Sequence, residues 1–194
     1  MTGPPGDRPP VPDRAECERL LDAHRVPAHI RRHSAVVARV ALLLGRELQA
    51  TGEHLDLRRI EAGALLHDIA KAPCLATHGD HAREGAEVLR GEGYPSVAVL
   101  VERHVELGPW DPDGEVTEAE LLNYSDKRVR HEEVVGLSGR FQDLLVRYGS
   151  VHPEAEARIR RNWTCTEAVE RKIFARLPFG PEEVGKGDGR TGGR

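Results

Sequence analysis

Cysteine is scarce in this chain: Cys17, Cys74 and Cys165 are three, odd in number and far apart among 194 residues. No disulfide framework or paired CxxC zinc site can be assembled from them, and a reducing, cytoplasmic location is expected. Long apolar runs are missing as well. The longest, Val40 to Leu44 and Val97 to Val101, stop at Gly or Glu well short of the roughly 18 residues of a membrane span. The N-terminus has no basic stretch leading into an apolar one, so neither a secretory leader nor a membrane partner is expected. Nor is there an excess of positive charge. Lys and Arg number 28 against 32 Asp and Glu, a net charge of −4, with a sequence pI near 6.2. Bulk DNA or RNA binding is therefore not expected, although a local basic pocket is invisible in such a sum.

The rest of the composition is that of a globular domain, with 31% charged and 39% hydrophobic residues and a mean hydropathy of −0.50. The length suits one sizeable core. Residues 1–12 hold Pro4, Pro5, Pro9, Pro10 and Pro12, and residues 178–194 are rich in glycine. Both are expected to be disordered tails, having little apolar surface to offset the entropy of ordering. A single domain at 13–177 remains.

Within it the periodicity is helical. His33, Val37, Val40 and Leu44 fall on one face between Pro27 and Gln49, and Leu57, Ile60, Ala64 and His67 repeat the pattern after Gly52. Further stripes carry His81, Gly85 and Val88; Val97, Leu100 and His104; and Leu122, Asp126 and Val129, the last behind a Thr117/Glu120 capping box. Leu137, Phe141, Leu144 and Tyr148 form another, and a final helix runs from Pro153 through Ile159, Trp163 and Ile173, closing the core or forming a dimer seam. No segment alternates as a strand does, so the fold class is all-α.

Polar residues interrupt these stripes in an informative way. Six groups that can ligate a metal, His33, His67, Asp68, His81, His104 and Asp126, fall on or beside apolar faces, where they must be paired or must coordinate something to offset desolvation. His67 and Asp68, adjacent on a helix, diverge by about 100° yet can chelate one ion between them, completed by His33 and Asp126. His81 and His104 are superfluous for one ion and natural ligands for a second, with Asp68 as bridge. Imidazole with carboxylate suits Fe, Mn, Co or Zn.

The succession of His33, then the HDIAK segment His67 to Lys71, then Asp126 within YSDKRV resembles the HD superfamily of metal-dependent phosphohydrolases. The HSAVVARVA helix ahead of ALLHDIAK strengthens the likeness, which extends over about residues 27–150. It implies a helical bundle, with His33, His67, Asp68 and Asp126 as core metal ligands and His81 and His104 as the added histidines of its dinuclear branch. The implied reaction is hydrolysis of a phosphate ester or anhydride in a nucleotide-like small molecule by water that two divalent transition-metal ions activate. Asp68 and Lys71 are the expected catalytic residues, Lys71 standing one turn after His67 to meet a substrate phosphate. A cyclic-nucleotide or cyclic-dinucleotide phosphodiesterase is the alternative enzyme, although the VELGPWD continuation after His104 differs from the cyclic-dinucleotide subgroup's HE and GYP. A non-enzymatic metal-containing ligand sensor is the alternative of another class. Lys127, Arg128 and Arg130 read as a solvent-facing basic turn, and Trp110 as the aromatic candidate for covering a base.

Overall fold

A computed structural model describes residues 9–77, 79–151 and 154–186. Its helices are α1 (Arg14–Ala23), α2 (Ala28–Ala50), α3 (Leu57–Leu66), α4 (Lys71–Thr77), α5 (His81–Gly91), α6 (Pro95–Glu102), α7 (Glu118–Lys127), α8 (Leu137–Tyr148) and α9 (Ala155–Phe174). The expected all-α class holds. Between α7 and α8 lies one antiparallel ribbon of β1 (Val129–Arg130) and β2 (Glu133–Val134), too short for alternation to reveal it.

The helices begin where side chains satisfy their free amides. Asp13, Asp56 and Asp80 each accept from a first-turn N–H of α1, α3 and α5, and the Thr117/Glu120 capping box of α7 is complete in both directions. Pro95 opens α6, where a missing N–H costs nothing. Helices α2, α3 and α7 enclose the centre of the core, built around fully buried Leu44, Leu48, Ile60, Leu66, Leu121 and Leu122. Each leucine so buried contributes about 1.5–3 kcal/mol. The close approach of α3 to its neighbours depends on Gly63, where a Cβ would lie 3.1 Å from Leu100 Cδ2 and 3.3 Å from Leu122 Cδ2.

Several expectations need correction. Helix α3 stops at Leu66, so His67 caps it and Asp68 lies in the turn before α4. His104 likewise stands past the end of α6. The domain also exceeds 13–177. Val11 and Phe179 pack on the core, Pro181–Glu183 forms a 3₁₀ turn and Val184 is buried. Arg128 donates to Pro181 O at 3.0 Å, a partner 53 residues away that composition cannot reveal. Residues 1–8, 187–194 and the helix-starting Pro153 lie outside the described residues.

Candidate metal centre

His67 and His104 stand just past the C-terminal ends of α3 and α6, and this has a chemical result. The last carbonyls of a helix lack intrahelical donors, and a following histidine can supply one. His67 Nδ1 donates to Ala64 O at 2.8 Å, closing α3, and His104 Nδ1 donates to Val101 O at 2.6 Å, closing α6. On α2, His33 Nδ1 donates to His131 O at 2.8 Å. A carbonyl only accepts, so all three rings carry their proton on Nδ1 and, when neutral, turn an Nε2 lone pair toward one another. The imidazoles of His33, His67, His104 and His81 follow in a row, with successive centroids 5.4, 4.9 and 5.1 Å apart.

Asp68 sits in the middle of this row. Its Oδ2 is 3.3 Å from His67 Nε2, while its Oδ1 faces His81 Nε2 at 3.5 Å and His104 Nε2 at 3.6 Å. Asp126 Oδ1 approaches His33 Nε2 at 3.1 Å and His67 Nε2 at 3.6 Å. Ligand atoms of His33, His67 and Asp68 lie within 4.8 Å of one another, and so do those of Asp68, His81 and His104. His67 Nε2 and Asp68 Oδ1 are buried yet make no hydrogen bond. Buried polar atoms without partners are costly, and lone pairs facing carboxylate oxygens repel. A cation between them removes both problems, so the donor set fits divalent metal.

The charges agree. Burial pushes the Asp68 carboxyl up, but His67, Lys71 and His104 outweigh it and hold the pKa well below the usual carboxylate range. Asp126 is held low in the same way, burial being outweighed by Lys127, His33 and His67. Burial, then the charge of His104, pulls His81 down to about 4, and burial lowers His104. Burial also opposes charge on His67, but Asp68 and Asp126 raise it overall. Ionised carboxylates and neutral imidazoles at His81 and His104 are the protonation states that metal ligation requires.

Sequence reasoning missed the residues that hold this set in place. Lys127 is buried, not solvent-facing, and its Nζ donates to Asp126 Oδ2 at 2.8 Å and His104 O at 2.9 Å. Asn123, one turn earlier on α7, also donates to His104 O, at 3.0 Å. Arg128 is buried too, donating to Val135 O at 2.7 Å. His131 adopts a positive φ of 57° in the ribbon turn, which aims its carbonyl at His33. The only local signals were a lysine next to a ligand and a histidine between Val129 and the Val134–Val135 pair.

Five of the six residues open onto a cavity of about 690 Å³, His67 lying beneath them. Lys71 lines it, with Nζ 2.7 Å from Asp68 Oδ2 and its side chain 30% exposed. Trp110 does not; it packs on the core with Lys172 Nζ 5.4 Å from its ring centre. Phe141 and Tyr148 supply aromatic rings to the cavity wall.

Among known proteins, a tRNA (cytidine(56)-2'-O)-methyltransferase of Picrophilus torridus is 27% identical over 165 residues, 74% of this chain and 46% of that protein. Ribonuclease Y of Pseudothermotoga lettingae is 34% identical over 105 residues, 53% of this chain and 20% of that protein. Ribonuclease Y of Thermosipho melanesiensis is 33% identical over the same number, with the same shares. The chain thus spans less than half the length of these relatives. No solved structure matches it. The HD domain model matches residues 30–138, a segment that contains all six residues of the cluster, and the chain belongs to the HD domain family.

Proposed function

We propose that the chain hydrolyses a phosphate ester or anhydride in a nucleotide-like small molecule with two divalent transition-metal ions. One ion would be held by His33, His67, Asp68 and Asp126, the other by Asp68, His81 and His104. The observation that carries this reading is Asp68, whose two oxygens face different sets of histidines while one of them lacks any hydrogen bond. Bound there, such ions supply Lewis acidity, lowering the pKa of water and screening charge on phosphate oxygens.

The chain's own residues do the rest. The three Nδ1-to-carbonyl bonds fix the tautomers of His33, His67 and His104. Lys127 occupies Asp126 Oδ2, leaving Oδ1 turned toward the space beside His33 and His67 where an ion would sit. Lys71 anchors Asp68 and offers an ammonium to a substrate phosphate at the cavity wall. Lys71→Ala should lower kcat/KM by the equivalent of about 1–3 kcal/mol with metal content unchanged. Unchanged kcat/KM, or loss of metal, would remove Lys71 from the substrate site.

The cavity volume falls in the range of small-molecule sites, roughly 300–1,000 Å³. The test is a hydrolysis panel on protein loaded with Mn, Fe, Co or Zn. It contains a dinucleoside tetraphosphate, a nucleoside monophosphate, a 3′,5′-cyclic nucleotide, a cyclic dinucleotide and a short RNA. Turnover of the linear small nucleotides is expected. A phosphodiester substrate is the second reading, favoured by the name of the ribonuclease Y relatives, and exclusive turnover of the cyclic or RNA substrates would establish it. Metal uptake without turnover of any member would favour a ligand sensor.

A further inference from the structure

We propose that Arg140 and Arg147, on the α8 wall of the cavity, form a subsite for a second phosphate group of the substrate, beyond the one hydrolysed. The inference rests on the hydrolase reading for the first phosphate only. Arg140 points into the cavity with its side chain 12% exposed, and its Nε is buried without a hydrogen bond. Its carboxylate neighbour, Asp143 Oδ2, stands 3.5 Å from Nη1 and itself makes no hydrogen bond. The other oxygen of Asp143 already accepts from Arg147 Nε at 3.0 Å. One carboxylate therefore serves two guanidinium groups.

Arg147 is braced as well as charged. Its second nitrogen donates to His131 Nε2 at 2.8 Å, which fixes the guanidinium at the cavity edge, where its side chain is 41% exposed. Lys71, which lines the same cavity, pairs with Asp68 at 2.7 Å and serves the phosphate that is hydrolysed. Positive charge therefore exceeds negative charge along the α8 wall. Its acidic neighbour on the cavity, Glu132, is bound to Arg32 at 2.7 Å. A largely buried guanidinium with unused donors is costly until an anion fills it, and planar N–H groups suit phosphate oxygens. Both arginines lie beyond residue 138, where the HD domain match ends. The wall thus lies outside the segment that carries the metal cluster, and it selects substrates with neighbouring phosphates over monophosphates.

The test is calorimetric titration of the 194-residue chain, loaded with manganese and then after chelation, with orthophosphate and tripolyphosphate. Tripolyphosphate should bind more tightly than orthophosphate to the loaded protein and retain measurable affinity after chelation. Arg140→Gln and Arg147→Gln should each weaken tripolyphosphate by about 10- to 100-fold and shrink its advantage over orthophosphate. Glu132→Gln should leave tripolyphosphate binding equal or tighter, and Arg19→Gln, on α1, should leave it unchanged. Because Arg147 is partly exposed, its variant decides the matter if Arg140→Gln does not fold. Wild-type tripolyphosphate affinity in the folded variants, or equal losses for both anions, would overturn the subsite. A protein that takes up no metal sinks the hydrolase reading instead, and tripolyphosphate binding after chelation still decides the wall.

Discussion

Asp68→Asn should lower kcat/KM by about 10³-fold or more at saturating metal, some 4 kcal/mol in the barrier, while the protein stays folded. The substitution keeps shape and volume but replaces an anion with a neutral amide. Asp68 Oδ2 now accepts from Lys71 at 2.7 Å and Oδ1 faces His81 and His104. An asparagine can present its oxygen to only one of these sides. Its NH₂ then meets either the Lys71 ammonium, donor against donor, or the pair of imidazole lone pairs, where it competes with an ion. Either orientation disables one of the two histidine sets. Circular dichroism and melting temperature separate this chemical loss from unfolding. Comparable kcat/KM in Asp68→Asn and wild type would show that the carboxylate is not a ligand.

The second large effect is on stability, at a buried ion pair between α9 and the start of α7. Lys172→Met should destabilise the fold by about 3–5 kcal/mol in urea unfolding. Lys172 Nζ donates to Glu120 Oε1 and to Asp111 O, both at 2.7 Å, and each partner of the ion pair has only 2% of its side chain exposed. Methionine fills the space but leaves a carboxylate buried without its cation and a carbonyl without its donor. Glu120 Oε2 also closes the capping box on Thr117 N, so the strain falls on the start of α7, the helix that carries Asn123, Asp126 and Lys127. Adding Glu120→Leu to Lys172→Met should recover much of the loss, because an apolar pair replaces the ionic one. A cost below about 1 kcal/mol for Lys172→Met alone would mean that the pair is solvated in solution.

These two sites differ in how much of them was legible in the sequence. Helices such as α2 and α8 were readable because each buries one face, and burial of one face imposes a 3.6-residue period; α7, buried on nearly every side, still announced its start by its capping box. The six clustered residues stood out because histidine and aspartate are conspicuous among apolar positions, and the structure brings all six together. Glu120 was visible as a capping residue, since its partner is three positions away. Lys172 was not, because its partner is 52 residues away and no local rule pairs them. Lys127 and Arg128 were misjudged for a related reason. A run of basic residues usually faces solvent, but here His104 O, Val135 O and Pro181 O, all supplied by other segments, satisfy them in the interior. His67 and His104 kept their expected location near the site although their helices end before them, because ring-to-carbonyl bonds to Ala64 O and Val101 O extend the last turn.

The central claim is that the cluster holds two ions with Asp68 between them, and counting the metal tests it most directly. Metal analysis of protein purified without oxygen and saturated with Mn, Fe, Co or Zn, then freed of unbound ion, is expected to approach two equivalents per chain. His81→Ala and His104→Ala should fall to about one, and Asp68→Ala below that. A stable value of one in the wild type, unchanged when His81 or His104 becomes Ala, would contradict the two-ion site.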